Sequence, residues 1–210
     1  MAKAMILAAG FGTRLRPLTD ELPKPLVWVG DRPALAHVAA RLVAAGIDEI
    51  VVNTHHRAAA FSAELLARVP GQIVISTEAE ILGTGGGVAN AAELLGAGDV
   101  VVWNGDILVD LDVGALLAAH GSSGSAGAAP GGTGERGGSA ERAAGVGTAS
   151  GGEGGRGATI AVARRARGEG TVGLGQGGRV VRLRGEVFGE EEVGGDFLGI
   201  YVLGEALRRR

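Results

Sequence analysis

Cysteine is absent from this 210-residue sequence, and two other common features are missing as well. Without cysteine, the chain forms no disulfides and no thiolate metal sites. Positive charge is not in excess, because the formal net charge is −3 at pH 7, and this argues against a nucleic-acid partner. No uninterrupted apolar run reaches membrane-spanning length, and the first apolar run starts too close to Met1 to leave room for a signal peptide. We therefore expect a cytoplasmic protein with one sizeable core and no membrane partner.

A glycine-rich loop directly follows the first apolar run. Gly10 and Gly12 carry no side chains, so backbone N–H groups can surround phosphate oxygens there. Arg14 offers a fork of donors that suits two phosphate oxygens, and Lys24 adds a compact charge. A Rossmann fingerprint would have a third glycine where Leu15 stands, and the Gly-Lys-Ser/Thr of a Walker loop does not occur. The loop predicts a polyphosphate site; a solvated turn with surface cations is the alternative.

Strands and helices alternate along the first 120 residues in the manner of a parallel sheet. We predict strands at Lys3–Ala8, Glu49–Asn53, Gln72–Ser76 and Asp99–Trp103, and helices at Leu35–Ala45, Arg57–Val69, Gly87–Leu95 and Val113–His120. Gly46 is the expected C-terminal cap of the first helix. Ligands of open α/β sheets bind beyond the carboxyl ends of the strands, so the segments that follow these strands should meet in one crevice.

Two further segments follow predicted strands. In Asn104-Gly-Asp106, an aspartate at a strand end is well placed to hold a hard cation through oxygen, although an Asx turn that caps the strand is the alternative. In Glu80-Ile-Leu-Gly-Thr-Gly-Gly-Gly87, the glycines allow the backbone to approach a flat base. The alternative there is a flexible entry into a helix.

The string Leu7-Ala-Ala-Gly-Phe-Gly-Thr-Arg-Leu-Arg-Pro-Leu-Thr19, with Pro23-Lys-Pro-Leu26, resembles the signature of the sugar-1-phosphate nucleotidylyltransferases. Cytidylyl- and molybdopterin-type transferases share the Leu-Ala-Ala-Gly start but lack the Arg-Pro-Leu-Thr continuation. The resemblance implies an α/β fold, Rossmann-like, with a mixed, mostly parallel sheet flanked by helices. It also implies an enzyme that joins a nucleoside triphosphate to a sugar 1-phosphate with the help of Mg²⁺, releasing pyrophosphate.

The resemblance implies roles for individual residues. Arg14 would stabilise the departing pyrophosphate, Lys24 the α-phosphate and the incoming phosphate, and Asp106 would be the Mg²⁺ ligand. The nucleotide-binding residues that it implies are Leu7, Ala8, Ala9, Gly10, Gly12, Thr13, Arg14, Glu80, Thr84, Gly85 and Gly86. The Thr-Gly-Gly-Gly form is similar to that of guanylyl- and uridylyltransferases, so GTP and UTP both remain open.

The sugar-binding residues implied by the resemblance are Asn104 and Gly199. Gly199 lies in Asp196-Phe-Leu-Gly-Ile-Tyr-Val202, which resembles the family strand that lines the sugar pocket. An ordinary core strand with a glycine bulge is an equally good interpretation. The other strands that we predict in this part of the chain are Thr159–Ala163, Thr171–Leu174 and Arg179–Leu183.

Residues 121–157 are rich in Gly, Ser and Ala and show no helical or strand period. Such a segment cannot offset its own ordering entropy, so we predict a disordered insertion in a single domain that spans residues 1–210.

The sequence departs from the family after Gly204. Family members continue into a Trp-x-Asp-x-Gly-Thr segment whose aspartate is the second metal carboxylate, and no such segment occurs here. The expected domain would then be C-terminally incomplete, catalysis would be weak, or the missing carboxylate would come from another chain of a homo-oligomer. A nucleotide- or sugar-phosphate-binding module without turnover is therefore the alternative function.

Overall fold

The computed structural model describes residues 2–122, 144–149 and 157–208. Two compact units divide the described chain. The first unit contains the residues up to Val113 together with Arg208, and the second contains those from Gly114 to Leu207. None of the described helices is both long enough and apolar enough to cross a membrane.

A parallel sheet forms the centre of the first unit. The strands of this unit are β1 (Lys3–Leu7), β2 (Trp28–Val29), β3 (Arg32–Pro33), β4 (Glu49–Thr54), β5 (Gln72–Thr77) and β6 (Val100–Asn104). Strand β1 pairs in parallel with both β4 and β6, and β5 pairs in parallel with β4, which gives the order β6-β1-β4-β5. Strands β2 and β3 form a separate antiparallel hairpin. The centre of β1 and all but the last residue of β6 are buried, as expected for strands covered on both faces.

Short helices connect these strands. They are α1 (Leu18–Glu21), α2 (Ala34–Ala44), α3 (Ala63–Leu66), α4 (Gly83–Asn90) and α5 (Ala92–Leu95), with 3₁₀ turns at Thr13–Leu15, Lys24–Leu26 and Ala58–Ala60. Helix α2 buries Leu35, Val38 and Leu42, which recur at the spacing of one helical face. Gly46 ends α2 with a φ of 80°, and the amide of Ile47 donates to the carbonyl of Leu42 at 3.0 Å. The predicted glycine cap is confirmed.

Two predicted helices differ from those in the structure. The helix expected over Arg57–Val69 is broken at Phe61. Arg57, with a left-handed φ of 52°, precedes the 3₁₀ turn, and Ser62 starts the new helix α3 by accepting a hydrogen bond from the amide of Leu65. The helix expected over Gly87–Leu95 is two helices in the structure: α4 begins earlier, at Gly83, and ends at Asn90, and α5 follows it. The glycine segment is therefore the first turn of α4.

The second unit is an antiparallel sheet. Its strands are β7 (Ala144–Ala149), β8 (Ala158–Arg165), β9 (Val172–Leu174), β10 (Val180–Leu183), β11 (Glu186–Val187) and β12 (Val193–Leu203). Helices α6 (Val113–Ser122) and α7 (Glu205–Arg208) also belong to it, except for Val113 and Arg208, which are part of the first unit. The strand order is β7-β8-β12-β9-β10-β11. A small core forms around the buried side chains of Val162, Val172 and Leu174. Parallel strands in the first unit and antiparallel strands in the second confirm the α/β class with mixed strand directions.

Parts of the expected insertion at residues 121–157 have regular structure. Gly121 and Ser122 continue α6, and residues 144–149 form β7, which pairs with β8. Gly157 directly precedes β8. The remaining residues of this segment, 123–143 and 150–156, lie outside the described chain, so the prediction of disorder is not tested there.

Candidate functional site

A pocket with a cavity volume of about 300 Å³ lies in the first unit, where the parallel strands end. The lining residues come from the ends of β1, β4 and β6 and from the segments that follow β1, β5 and β6, as the convergence of strand ends predicts. They are Leu7, Ala8, Ala9, Gly10, Gly12, Thr13, Arg14, Lys24, Pro25, Asn53, Glu78, Ile81, Gly83, Thr84, Asn104 and Asp106.

The glycine loop forms one wall of the pocket. Gly12 has a left-handed φ of 65°, and a Cβ there would lie 2.8 Å from Cγ2 of Thr19. The hydroxyl of Thr19 donates to the carbonyl oxygen of Gly12 at 2.8 Å, and the amide of Leu15 donates to the same oxygen at 2.9 Å. Gly10 differs from Gly12, since a Cβ there would meet nothing within 4 Å. Gly12 is therefore required by the local fold, whereas the space beside Gly10 stays open to the pocket.

Two arginines of the loop have different environments. Arg16 forms an ion pair with Asp20, with 3.2 Å between Nε and Oδ1. Arg14 lines the pocket, is exposed, and makes no ion pair with any residue in the described part of the chain. The Arg14 guanidinium is thus free to bind an anion.

Lys24 and Asp106 meet inside the pocket. The Lys24 ammonium donates a hydrogen bond to Oδ2 of Asp106, although 82 positions separate the two residues in the sequence. Lys24 starts a 3₁₀ turn whose first hydrogen bond runs from the amide of Leu26 to the carbonyl of Pro23, at 2.8 Å. On the other side, the amide of Gly105 donates to the carbonyl of Leu7 at 2.9 Å. Backbone hydrogen bonds on both sides therefore fix the positions of the cation and the carboxylate.

Close packing explains why residue 105 is glycine. A Cβ at Gly105 would lie 3.0 Å from both Cγ2 of Ile6 and the carbonyl oxygen of Leu7, and 3.1 Å from Cγ of Pro25. The turn that carries Asp106 thus packs directly against β1 and against the Pro25 that follows Lys24.

The segment before and within the first turn of α4 forms another wall. Gly83 and Thr84 line the pocket, whereas Gly85 and Gly86 are not among the lining residues. A Cβ at Gly86 would lie 2.7 Å from Cβ of Leu82, but one at Gly85 would meet nothing within 4 Å. Glu80 is exposed to solvent and also lies outside the lining.

The two residues predicted to bind sugar lie in different units. Asn104, the last residue of β6, lines the pocket. Gly199 lies in the second unit, where β12 has a register shift between Phe197 and Tyr201, and its φ is 70°. This geometry agrees with the glycine-bulge interpretation, and a sugar role for Gly199 stays a prediction.

Sequence reasoning missed two polar residues of the pocket, both of which lie outside the motifs. Asn53 is next to last in β4 and Glu78 directly follows β5, and both are 3% exposed. The strand-end rule that identifies Asp106 would have identified them as well. The glycine-rich pattern of the following segment instead favours Glu80.

The comparisons with known proteins agree with this geometry. The sequence model of the family described as "Nucleotidyl transferase" matches residues 3–140. The chain belongs to the nucleotidyl transferase family. Its resemblance to sugar-1-phosphate nucleotidylyltransferases is confirmed by two curated relatives with such names.

These relatives of the nucleotidyl transferase chain are bacterial. A mannose-1-phosphate guanylyltransferase of Mycobacterium tuberculosis is 42% identical over 122 residues, covering 57% of this chain and 34% of that protein. An N-acetylmuramate alpha-1-phosphate uridylyltransferase of Caulobacter vibrioides is 48% identical over 108 residues, covering 49% of this chain and 45% of that protein. The chain therefore spans less than half the length of either relative.

A solved structure shows the same fold. The crystal structure of HddC from Yersinia pseudotuberculosis complexed with GMP-PN aligns with a TM-score of 0.64 and 22% sequence identity, covering 98% of this chain and 78% of that one. This likeness confirms the fold of the nucleotidyl transferase chain.

Proposed function

We propose that this nucleotidyl transferase joins a nucleoside triphosphate to a sugar 1-phosphate, giving a nucleotide sugar and pyrophosphate. One observation carries the proposal: a glycine loop, two cationic side chains and a carboxylate line a single pocket at the ends of parallel strands. The names of the curated relatives support the same reaction class.

The reaction needs positioning more than it needs a protein nucleophile. An oxygen of the sugar 1-phosphate attacks the α-phosphorus in line and forms a new P–O bond. The bond from the α-phosphorus to the oxygen that bridges to the β-phosphate breaks, and pyrophosphate leaves with the electron pair. Because the attacking phosphate is already anionic, the chain's contribution is to orient the two substrates and to stabilise the developing charge.

The cationic side chains divide this work. Arg14 has no ion-pair partner in the described residues, so its guanidinium binds the departing pyrophosphate. Lys24 lies at the opposite end of the loop, beside Asp106, and its ammonium binds the α-phosphate and the incoming phosphate. The open space beside Gly10 gives the phosphates access to the backbone of the loop.

Mg²⁺ is the expected cofactor, and the donor set of the pocket suits it. Asp106 places one carboxylate in the pocket, and Mg²⁺ is commonly held by one or two carboxylates, water and substrate phosphates. The described residues contain no group of three or more acidic or histidine side chains that would form an all-protein metal cage. Asp106 would hold the ion. Bound there, Mg²⁺ neutralises charge on the transferring phosphates.

GTP and UTP are the proposed nucleotides. Gly83 and Thr84 supply backbone and a hydroxyl at the wall where a base would lie, and Asn104 faces the same pocket as the candidate sugar contact. The roles of Glu80, Gly85, Gly86 and Gly199 stay predictions from the sequence, as does a cytoplasmic location.

A pyrophosphate-release assay tests the proposal. Each nucleoside triphosphate is combined with mannose, glucose, heptose and N-acetylmuramate 1-phosphates in the presence of Mg²⁺. Release that requires both substrates, strongest with GTP or UTP, is the expected result. Tight nucleotide binding without release from any pair would favour a binding module and contradict the proposed transferase.

A further inference from the structure

Asn53 and Glu78 form a buried polar pair in the wall of the pocket. Each is 3% exposed, and the other strongly polar groups of the pocket are more accessible. Burial of a carboxylate is costly unless hydrogen bonds compensate for the lost water. The hydrogen bonds that compensate for the burial of this pair therefore need to be identified.

The hydrogen bonds of the pair connect two segments that face the ligand. Oδ1 of Asn53 accepts from the amide of Ala8 at 2.8 Å, and Nδ2 of Asn53 donates to Oε1 of Glu78 at 2.6 Å. Oε2 of Glu78 accepts from the amide of Leu82 at 3.2 Å. Ala8 begins the glycine loop and Leu82 directly precedes α4. We call this chain of hydrogen bonds from Ala8 to Leu82 the bridge.

Helix α4 packs against the middle of the bridge. A Cβ at Gly87 would lie 2.7 Å from Oε1 of Glu78 and 2.9 Å from Nδ2 of Asn53. The absence of a side chain at Gly87 thus lets the helix approach the amide and the carboxylate directly. The bridge also uses the Ala8 amide, which is therefore not available as a donor to a phosphate.

We infer that Asn53 and Glu78 are positioning residues, which hold the glycine loop and the start of α4 at a fixed separation so that one nucleoside triphosphate contacts both. This inference rests on the proposed function. It adds two residues to the site that act by fixing the positions of the two segments in the pocket wall. Fixing two loops before binding lowers the entropy that the ligand must offset. Glu78 would thereby influence phosphate binding through Asn53 and Ala8.

Inorganic triphosphate is the probe that tests this connection, because it has no base or sugar to contact Glu78. Asn53→Asp places a second carboxylate against that of Glu78, so the hydrogen bond between the two side chains is lost. Glu78→Gln replaces one acceptor oxygen by an NH₂ group, and this group then faces a donor, either Nδ2 of Asn53 or the amide of Leu82. In the double variant, the new amide at position 78 donates to the new carboxylate at position 53. That carboxylate still accepts from Ala8, and the amide oxygen at position 78 still accepts from Leu82. The double variant thus restores every hydrogen bond with the direction of the central one reversed.

Calorimetry of triphosphate binding gives the affinity of each variant. We expect each single variant to bind about tenfold more weakly, the loss typical of one charge-assisted hydrogen bond. The double variant should bind within about threefold of the wild type. The control is Ser76→Ala, which removes a hydrogen bond of 3.2 Å from Asn90 to a buried hydroxyl of strand β5 but leaves the bridge intact. It should bind triphosphate as the wild type does.

Amide hydrogen exchange of Ala8 and Leu82 is measured on the same samples. Faster exchange at both amides in the single variants, with protection restored in the double variant, supports the inference. Single variants that fold and bind triphosphate normally would overturn the inference. A folded double variant that binds triphosphate no better than the weaker-binding single variant would overturn it as well. If a single variant does not fold, triphosphate binding by the double variant tests the inference. A double variant that does not fold either counts against the bridge.

A parallel pyrophosphate-release assay separates this inference from the proposed function. A wild-type chain that binds triphosphate but never releases pyrophosphate would contradict the transferase and leave the bridge supported by the rescue. A wild-type chain that turns over normally, with variants that all bind triphosphate equally, would contradict only the bridge. Failure of the wild type to bind triphosphate would contradict both.

Discussion

The ammonium of Lys24 donates a hydrogen bond to a carboxylate oxygen of Asp106, and both side chains are about a quarter exposed, at 25% and 27%. A group that binds anions and a group that binds cations therefore lie side by side in one pocket. Partial exposure keeps both accessible to a ligand, and Gly105 holds the carboxylate close to β1.

Lys24→Ala should lower the rate of pyrophosphate release by about a hundredfold or more, because it removes the charge that we propose stabilises the α-phosphate in the transition state. Steady-state assays with saturating substrates measure this effect. Lys3→Ala is the matched control, since Lys3 forms an ion pair of 2.7 Å with Glu49 and is not among the residues that line the pocket. Equal rates in both variants would remove Lys24 from the mechanism.

Arg14→Ala should also lower turnover by about a hundredfold, because the guanidinium that we propose stabilises the departing pyrophosphate is lost. Arg16→Ala removes a charge two positions away, which is ion-paired with Asp20 and lies outside the pocket lining. The Arg16 variant should retain most activity. Inhibition by added pyrophosphate provides a second measurement, and only the Arg14 variant should bind pyrophosphate more weakly. Equal losses in the two variants would count against a specific role for Arg14.

Gly85→Ala and Gly87→Ala should have opposite effects on stability. Alanine at position 85 meets open space in a helix, so the free energy of unfolding should rise by about 0.5–1 kcal/mol. Alanine at position 87 would collide with Asn53 and Glu78, so it should destabilise the protein by about 1–3 kcal/mol. Urea denaturation measures both changes.

Nucleotide binding adds a second test of Gly85. If a base approaches this glycine as predicted, Gly85→Ala should weaken GTP or UTP binding even though the fold becomes more stable. A variant with higher stability and unchanged nucleotide affinity would exclude Gly85 from the binding surface.

Glu191→Gln should reduce stability at neutral pH, with a loss that disappears in acid. Hydrogen bonds from Arg182 at 2.7 Å and from the amide of Gly168 at 2.8 Å lower the pKa of Glu191 from 4.5 to about 2. The carboxylate thus stabilises the folded chain fully above pH 4.5, and this contribution falls away as the pH drops towards 2. Melting temperatures at several pH values should show a gap between wild type and variant that closes over this range. The control is Glu190→Gln, which removes a neighbouring exposed carboxylate and should leave the melting temperature at neutral pH unchanged.

The sequence predicts a pocket residue correctly where a local motif lies directly after a predicted strand. Gly12, Arg14, Lys24 and Asp106 all line the pocket, because each follows a strand whose apolar run is visible in the sequence. The strands themselves were predicted to within a residue or two for β1, β4, β5 and β6. The burial of β1, β4 and β6 on both faces produces continuous apolar runs, which are typical of parallel strands.

The errors occur where long-range packing decides. Nothing local shows that the chain breaks between two short helices at Phe61, since Ser62 becomes a cap only when the segment is bent. Helix α4 begins early, at Gly83, although glycine has a low helix propensity. Close packing of the helix against Leu82, Glu78 and Asn53 compensates for this unfavourable propensity. The partner of Asn53 lies 25 positions away, so this hydrogen bond cannot be read from spacing.

The parallel pairing of β1 with β4 and β6 has a consequence for the nascent chain. Each wall of the pocket is contributed by a different strand, and parallel neighbours are always separated by a crossover. The glycine loop therefore emerges from the ribosome long before Asn53, Glu78 and Asp106, which complete its surroundings. If the pocket binds nucleotide as proposed, its walls are complete only after β6 has joined the sheet, so ligand present during synthesis would favour the finished fold without promoting its earlier steps.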